Sequence, residues 1–306
     1  MKWFQAAILS VTLLGNLGCS SLIDRQPDWV LPPMVEALQP TLQQEVQIAR
    51  LSQLLQRNDL PNETRAKMYF ERGSYYDSVG LRNLARLDYE QSLAIVPAQA
   101  DLFNLLGVYF TENRNFDAAY DAFDSALELA PENAYAARNR AIALYYGDRF
   151  ELALEDMQKH YDQDPSDPFR ALWLYIVKSE FSPDIAKQEL EQRYKNSDRQ
   201  WGWFLVAIML DEVSEKDAFN AIYSTSKDRT VRAQRLTEAY FYLGKRYQAK
   251  GTERDLAKAV SFYKLAISFN VFDYVEHRYA FLELQGIYEQ IQKRELSGSM
   301  DKQASR

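Results

Sequence analysis

"FNLLGVYFTENRNFDAAYDAFDSALELAP", Phe103 to Pro131, is the stretch that decides the fold. Two runs with apolar residues at helical spacing flank the polar break "TENRN". Thirty-four residues earlier the chain reads "YFERGSYYDSVGLRNLARLDYEQSLAIVP", Tyr69 to Pro97. Thirty-four residues later it reads "ARNRAIALYYGDRFELALEDMQKHYDQDP", Ala137 to Pro165. The register holds at Gly73, Gly107 and Ala141, at Ala85, Ala119 and Ala153, and at Pro97, Pro131 and Pro165.

A 34-residue period with Leu-Gly, Tyr, a later Ala, an aromatic and a closing Pro is the tetratricopeptide signature. Small residues at 73, 107 and 141 let the two helices of a repeat approach, and Tyr89, Phe123 and Met157 are expected to fill the space between repeats. The prolines end each second helix. A fourth copy places Tyr240, Leu243, Gly244 and Tyr247 in register, with Ala259, Tyr263 and Ala266 three residues late; the extra residues are expected in a loop at "KGTER". Between the copies, "DPFRALWLYIVKSEFS", "PDIAKQELEQRY", "RQWGWFLVAIMLDEV" and "SEKDAFNAIYST" read as four helices of degenerate repeats. Trp173, Trp201 and Trp203 there are core packing or an exposed anchor for a partner. The fold expected is all-α, a tetratricopeptide-repeat helical solenoid with flanking helices at both ends.

The flanking helices are "PTLQQEVQIARLSQLLQR", with Thr41 and Gln44 as a capping box and an apolar face of Leu42, Val46, Ala49 and Leu54, and "DYVEHRYAFLELQGIYEQIQ", with Val275, Tyr279, Leu282, Ile287 and Ile291 on one face. Each caps the solenoid or mediates self-association.

The N-terminus carries an export pattern. Lys2 precedes a mostly apolar run, Phe4 to Leu14, of signal-peptide length and too short to span a bilayer. Cys19, the one cysteine of the chain, follows Gly18, as in a bacterial lipobox, although Asn16 and Leu17 depart from that pattern. Lipid attachment at Cys19 is expected, with several acyl chains anchoring the protein. Ser20, rather than Asp, points to the outer membrane over the inner. The organisation read is a signal peptide at 1–18, anchor and flexible tether at 19–40, an N-terminal helix at 41–60, three repeats at 63–166, degenerate repeats at 167–232, a fourth repeat at 233–271, a C-terminal helix at 272–296 and a disordered tail at 297–306.

The chain has 36 basic and 43 acidic side chains, a net charge of −7. That balance argues against nucleic acid as a partner. One cysteine permits no internal disulfide, so the fold holds by burial. Enzyme chemistry finds little support. His160 and His277 are the only histidines, no phosphate-binding Gly-rich loop occurs, and no metal-ligand spacing is present. No catalytic residue, metal or cofactor is expected. His160 takes the small-residue place of Ser92 and Ala126 and reads as a packing substitution.

The repeats, the lipid cysteine and the strings "LQPTLQQEV", "FERGSYYDS", "FDAAYDAFDS", "IALYYGDR", "DPFRALWLY", "QWGW" and "VEHRYAFLEL" resemble the NlpI-type outer-membrane lipoproteins of Gram-negative bacteria over Leu38 to about Leu284. The three-residue insertion near Gly251 and the tail after Ser297 depart from that pattern. The resemblance implies a lipid-anchored homodimer on the periplasmic face. It implies an adaptor that binds a tail-specific, PDZ-containing protease and presents murein endopeptidases to it. Other peptidoglycan hydrolases are implied as further partners, and cell division as the process affected. A structural lipoprotein in outer-membrane protein or lipid assembly is the alternative.

In such arrays the first helices line a concave groove. The places facing it are Lys67, Phe70, Ser74, Asp77 and Ser78; Asp101, Asn104, Val108, Thr111 and Glu112; and Tyr135, Arg138, Ile142, Tyr145 and Tyr146. Phe70 and Ser74 stand where a two-carboxylate clamp would need Lys and Asn, so recognition of an acidic C-terminus is not expected. Tyr135, Arg138, Tyr145 and Tyr146, with Asn104 and Phe70, are the candidate partner-binding residues, or else a solvated groove wall.

Overall fold

The solenoid is built from helix pairs whose small residues admit rings from their partners. In the computed structural model a Cβ added to Gly73 would lie 2.6 Å from the Tyr89 ring, one on Gly107 2.5 Å from Phe123, and one on Gly244 2.5 Å from Tyr263. These aromatics therefore fill the seam inside their own repeat, and Tyr89 also clusters with Leu102 and Leu106 of the next repeat, so their expected place between repeats holds only in part. The third repeat carries Ala141 and Met157 at the matching positions, both fully buried. The unbranched thioether accommodates the extra methyl.

The structure describes residues 32–198 and 200–304, with side chains through residue 294. The signal peptide, Cys19 and the tether as far as residue 31 lie outside the described residues. All the described helices fall in one unit, Met34–Arg306. They are α1 (Leu42–Leu54), α2 (Asn62–Ser78), α3 (Arg82–Ile95), α4 (Ala100–Glu112), α5 (Phe116–Leu129), α6 (Ala134–Tyr146), α7 (Phe150–Gln163), α8 (Pro168–Lys178), α9 (Pro183–Lys195), α10 (Trp201–Met209), α11 (Glu215–Thr225), α12 (Arg229–Lys250), α13 (Glu253–Ile267) and α14 (Val275–Ala304). No strand occurs among the described residues. The three clear repeats are α2–α3, α4–α5 and α6–α7. The degenerate region supplies α8 to α11, as its apolar spacing implies.

The period extends to the backbone. Gly80, Arg114 and Asp148, each 34 residues apart, all take left-handed φ values, of 80°, 58° and 58°, at the turn between the helices of a repeat. Only the first is glycine. Arg72 pairs with Asp88 at 2.7 Å inside repeat one, and Arg140 with Asp156 at 2.8 Å inside repeat three. Repeat two has Leu106 and Ala122 in those places, an apolar seam in place of an ion pair.

Three segments depart from the sequence-based expectation. The three-residue insertion is not a loop. Gly251 ends α12 at φ 71° and Thr252 caps α13 by accepting from the Asp255 amide at 3.2 Å, so the extra residues lengthen the start of α13. The chain is not a free tether as far as residue 40. The Leu38 amide donates to the Phe269 carbonyl at 2.9 Å, Tyr223 donates to the Met34 carbonyl at 2.8 Å, and Glu36 pairs with Arg229 at 2.7 Å. α14 continues to Ala304 rather than stopping at 296. The capping box of α1 forms, with Gln44 and Thr41 bonded reciprocally at 3.2 and 2.8 Å. That helix buries Leu51, its C-cap Leu55 is also buried, and it leaves Leu42 and Val46 exposed, the reverse of part of its expected face.

Candidate interaction groove

Three of the positions read as groove-facing, Asp77, Glu112 and Tyr146, meet the chain's own C-terminal helix. Arg278 of α14 donates to Asp77 at 2.7 Å and to Glu112 at 3.0 Å, reaching the first helices of repeats one and two. Glu283, one and a half turns on, accepts from Tyr146 of repeat three at 2.8 Å. It also pairs with Lys245 of α12 at 2.7 Å. The Lys245 and Glu283 side chains are 8% and 4% exposed, so this ion pair is removed from water. Burial opposes the lysine's charge, but the adjacent Glu283 carboxylate and Tyr145 hydroxyl more than offset it and hold the ammonium above its ordinary pKa. Burial likewise opposes the charge of Arg278, while Glu112 and Asp77 raise its pKa.

The six candidate residues divide. Tyr145 is half-buried; its hydroxyl accepts from Lys245 at 2.9 Å and donates to Glu180 at 3.1 Å, and burial pushes its pKa up to about 12. Tyr146 packs on Tyr279 of α14, ring centres 5.3 Å apart. Both tyrosines are thus engaged within the chain. Phe70 is half-buried and tilted on the Tyr89 ring at 6.4 Å, a packing role. Asn104 accepts from Asn139 at 3.0 Å, and Arg138 donates to Asn139 at 3.1 Å. Tyr135 is 68% exposed, with the Arg138 guanidinium 5.6 Å from its ring centre. Only Tyr135, with Arg138 beside it, keeps the open character expected of a binding anchor.

Trp173 is core, not an anchor. It is 1% exposed, with Tyr145, Tyr146 and Tyr279 each 6.4 Å away by ring centre. Trp203 is also buried. Trp201 donates to Glu238 at 2.5 Å, with Arg235 over its ring. Glu238 of α12 and Glu276, near the root of the C-terminal helix, are both buried, and the charge of Glu276 acts on Glu238. Burial first, and then its neighbour's charge, raises the pKa of Glu238; burial also raises that of Glu276, against the Tyr242 hydrogen bond at 3.0 Å.

Sequence reasoning missed Lys245, Glu283, Glu238 and Glu276. Their one signal was charge inside apolar stripes: Glu276 and Glu283 stand three residues before and four after Tyr279 on the buried face of α14. His160 and His277 are buried, each with Nδ1 unbonded. Two of the clefts among the described residues border α14. One of about 500 Å³ is bordered by Arg82, Leu84, Tyr109 and Phe281; the other, of about 290 Å³, lies between the middle of α14 and Arg114, Tyr145 and Glu180. Among the described residues no three His, Cys, Asp or Glu side chains gather for a metal ion.

No protein-family model matches the chain. Among solved structures it is similar to a tetratricopeptide repeat protein from Parabacteroides merdae ATCC 43184, at TM-score 0.50 and 16% identity, covering 79% of this chain and 90% of that one. It is also similar to PilF of Pseudomonas aeruginosa, at TM-score 0.43 and 19% identity over 71% and 96% of the two chains. YrrB, described as a tetratricopeptide protein with an unusual peptide-binding site, matches at TM-score 0.39 and 16% identity over 72% and 91%. At such identities the likeness concerns the fold. The protein is an all-α tetratricopeptide-repeat solenoid, an architecture whose curvature creates extended concave surfaces.

Proposed function

We propose that this chain is a lipid-anchored adaptor on the periplasmic face of the outer membrane, with no catalytic activity of its own. It binds a tail-specific protease and brings murein endopeptidases and other peptidoglycan hydrolases to it, so regulating cell-wall hydrolysis and cell division, and it works as a homodimer. The observation that carries this reading is a protein-binding repeat array behind an export pattern ending at the lone Cys19. The resemblance of the local strings to those of the NlpI-type lipoproteins supports these partners. The exposed Leu42 and Val46 of α1 suit a second copy.

The test is capture of partners from a periplasmic extract of the host by residues 20–306, with mass spectrometry. Recovery of a PDZ-containing protease together with an endopeptidase is expected. Recovery of β-barrel assembly factors, or of neither enzyme, would sink the adaptor reading.

A further inference from the structure

Met34 to Leu38 run along one corner of the solenoid, and that corner is basic. Tyr223 of α11 donates to the Met34 carbonyl at 2.8 Å, and Arg229, the first residue of α12, pairs with Glu36 at 2.7 Å. Just past the end of α13, the Phe269 carbonyl accepts from the Leu38 amide at 2.9 Å and Asn270 donates to the Leu38 carbonyl at 3.1 Å. By Met34 the chain is thus fixed beside the α11–α12 junction.

That junction, "KDRTVRAQR" from Lys227 to Arg235, holds four basic side chains and one acid, Asp228, in a chain whose net charge is −7. Among the described residues only Arg229 of the four is in an ion pair. Arg232 donates to the Ser226 carbonyl at 2.6 and 3.0 Å, and Arg235 to the Thr225 and Ser226 hydroxyls at 2.8 and 2.9 Å. Neutral acceptors orient these guanidinium groups without cancelling their charge. Apolar side chains stand exposed among them: Met34 is 58% exposed, and Tyr223 and Val231 are 37% each. By contrast, Asp117, Asp121, Asp124 and Glu128 line the exposed side of α5.

Basic side chains mixed with exposed apolar ones suit the headgroup region of a bilayer, where cations meet phosphates and rings such as that of Tyr223 sit at the boundary. The position of the corner favours a bilayer over a protein. About 15 residues separate Met34 from Cys19, where lipid attachment is expected, and fully extended they reach no more than about 50 Å. A lipid at Cys19 therefore holds this corner at a high effective concentration over the membrane. There each basic side chain close to an anionic surface strengthens the attraction roughly fivefold.

We propose that the α11–α12 corner is a second membrane contact, docking its four basic side chains on anionic phospholipid headgroups while Met34 and Val231 enter the headgroup boundary. The same surface repels the acidic side of α5, so the contact orients the solenoid over the bilayer. The inference rests on the anchored reading for the presence of that bilayer.

The test couples the lone thiol of Cys19, in the chain from residue 19 onward, to a maleimide-bearing lipid in vesicles, so acylation in the cell does not enter. That chain retains whole the unit Met34–Arg306, which holds every described helix. Hydrogen exchange is followed for residues 222–236 and, as control, for α5. On vesicles of phosphatidylcholine with about one-third phosphatidylglycerol, at about 0.1 M salt, amides of the junction are expected to exchange about fivefold more slowly than on phosphatidylcholine alone. The difference is expected to vanish at about 0.5 M salt. Lys227→Glu, at an exposed side chain, abolishes it with the thermal midpoint unchanged. The salt dependence keeps the test decisive if that variant fails to fold. Equal exchange on both vesicles, slowing that survives salt or Lys227→Glu, or slowing centred on α5 overturns the assignment. So does slowing by periplasmic extract and not by vesicles, which would make the occupant a protein. Native acylation is read separately, from the intact mass of the chain made in its host, so failure here and failure of the anchored reading are distinguishable.

Discussion

Gly107 and His160 show how far a single repeat position can bend. A Cβ on Gly107 would lie 2.5 Å from the Phe123 ring, whereas repeat three tolerates Ala141 because Met157 stands opposite. Gly107→Ala is expected to cost about 1–3 kcal/mol through overpacking, and Gly107→Ala with Phe123→Met to recover part of that loss in denaturant unfolding. If the double variant is as damaged as the sum of the two singles, the pairing idea fails. His160 is buried, with Nδ1 unbonded. Burial first, and then Arg170 and Arg138, lower its pKa to about 4. The unfolded chain therefore takes up a proton below the ordinary imidazole value of 6.5 while the folded chain does not until about pH 4. Stability is present above that window and is lost as pH falls through it. His160→Ala is expected to flatten this acid limb by about 1–3 kcal/mol, read from unfolding midpoints between pH 7 and 4. A limb of unchanged slope would contradict the assignment.

At the scale of the element, α14 has buried carboxyls with raised pKa values near its root. Glu238 and Glu276 are buried near its root, bonded to Trp201 and Tyr242 respectively, with the charge of Arg138 acting on Glu276. Their folded-state pKa values are raised, chiefly by burial. Folding therefore favours the protonated pair, and the stability it contributes is full below the ordinary carboxylate range and is lost as pH rises towards and past neutrality. Glu238→Gln keeps an acceptor for Trp201 and removes one charge. Its thermal midpoint is expected to exceed the wild-type value at pH 8 and to match or fall below it at pH 5. The opposite ordering would show that the pair is ionised throughout. The helices themselves were legible in advance: α8 to α11 fall where apolar spacing puts them, and Thr41 with Gln44 forms the capping box its spacing implies. The start of α13 was not legible, because Thr252 and Gly251 read equally well as loop residues and as a cap with its preceding stop.

At the scale of the molecule, the amino-acid sequence by itself determined the repeat period, the helix pairs, the small-against-large seams and the solenoid they build. These are local or nearest-neighbour matters, expressed at spacings of 3.6 and 34 residues. It also put Asp77, Glu112 and Tyr146, the residues that α14 meets, among the positions read as groove-facing, since a repeating register repeats its faces. Only the tertiary structure decided what fills that groove. Asp77 and Arg278 meet across 201 residues, Tyr146 and Glu283 across 137, and no periodicity encodes such a pairing. The apolar stripe of α14 read as a cap or as a self-association face. Its buried Glu276, Arg278 and Glu283 became intelligible only with Asp77, Glu112 and Lys245 set opposite, because a charge leaves water only where a partner already waits.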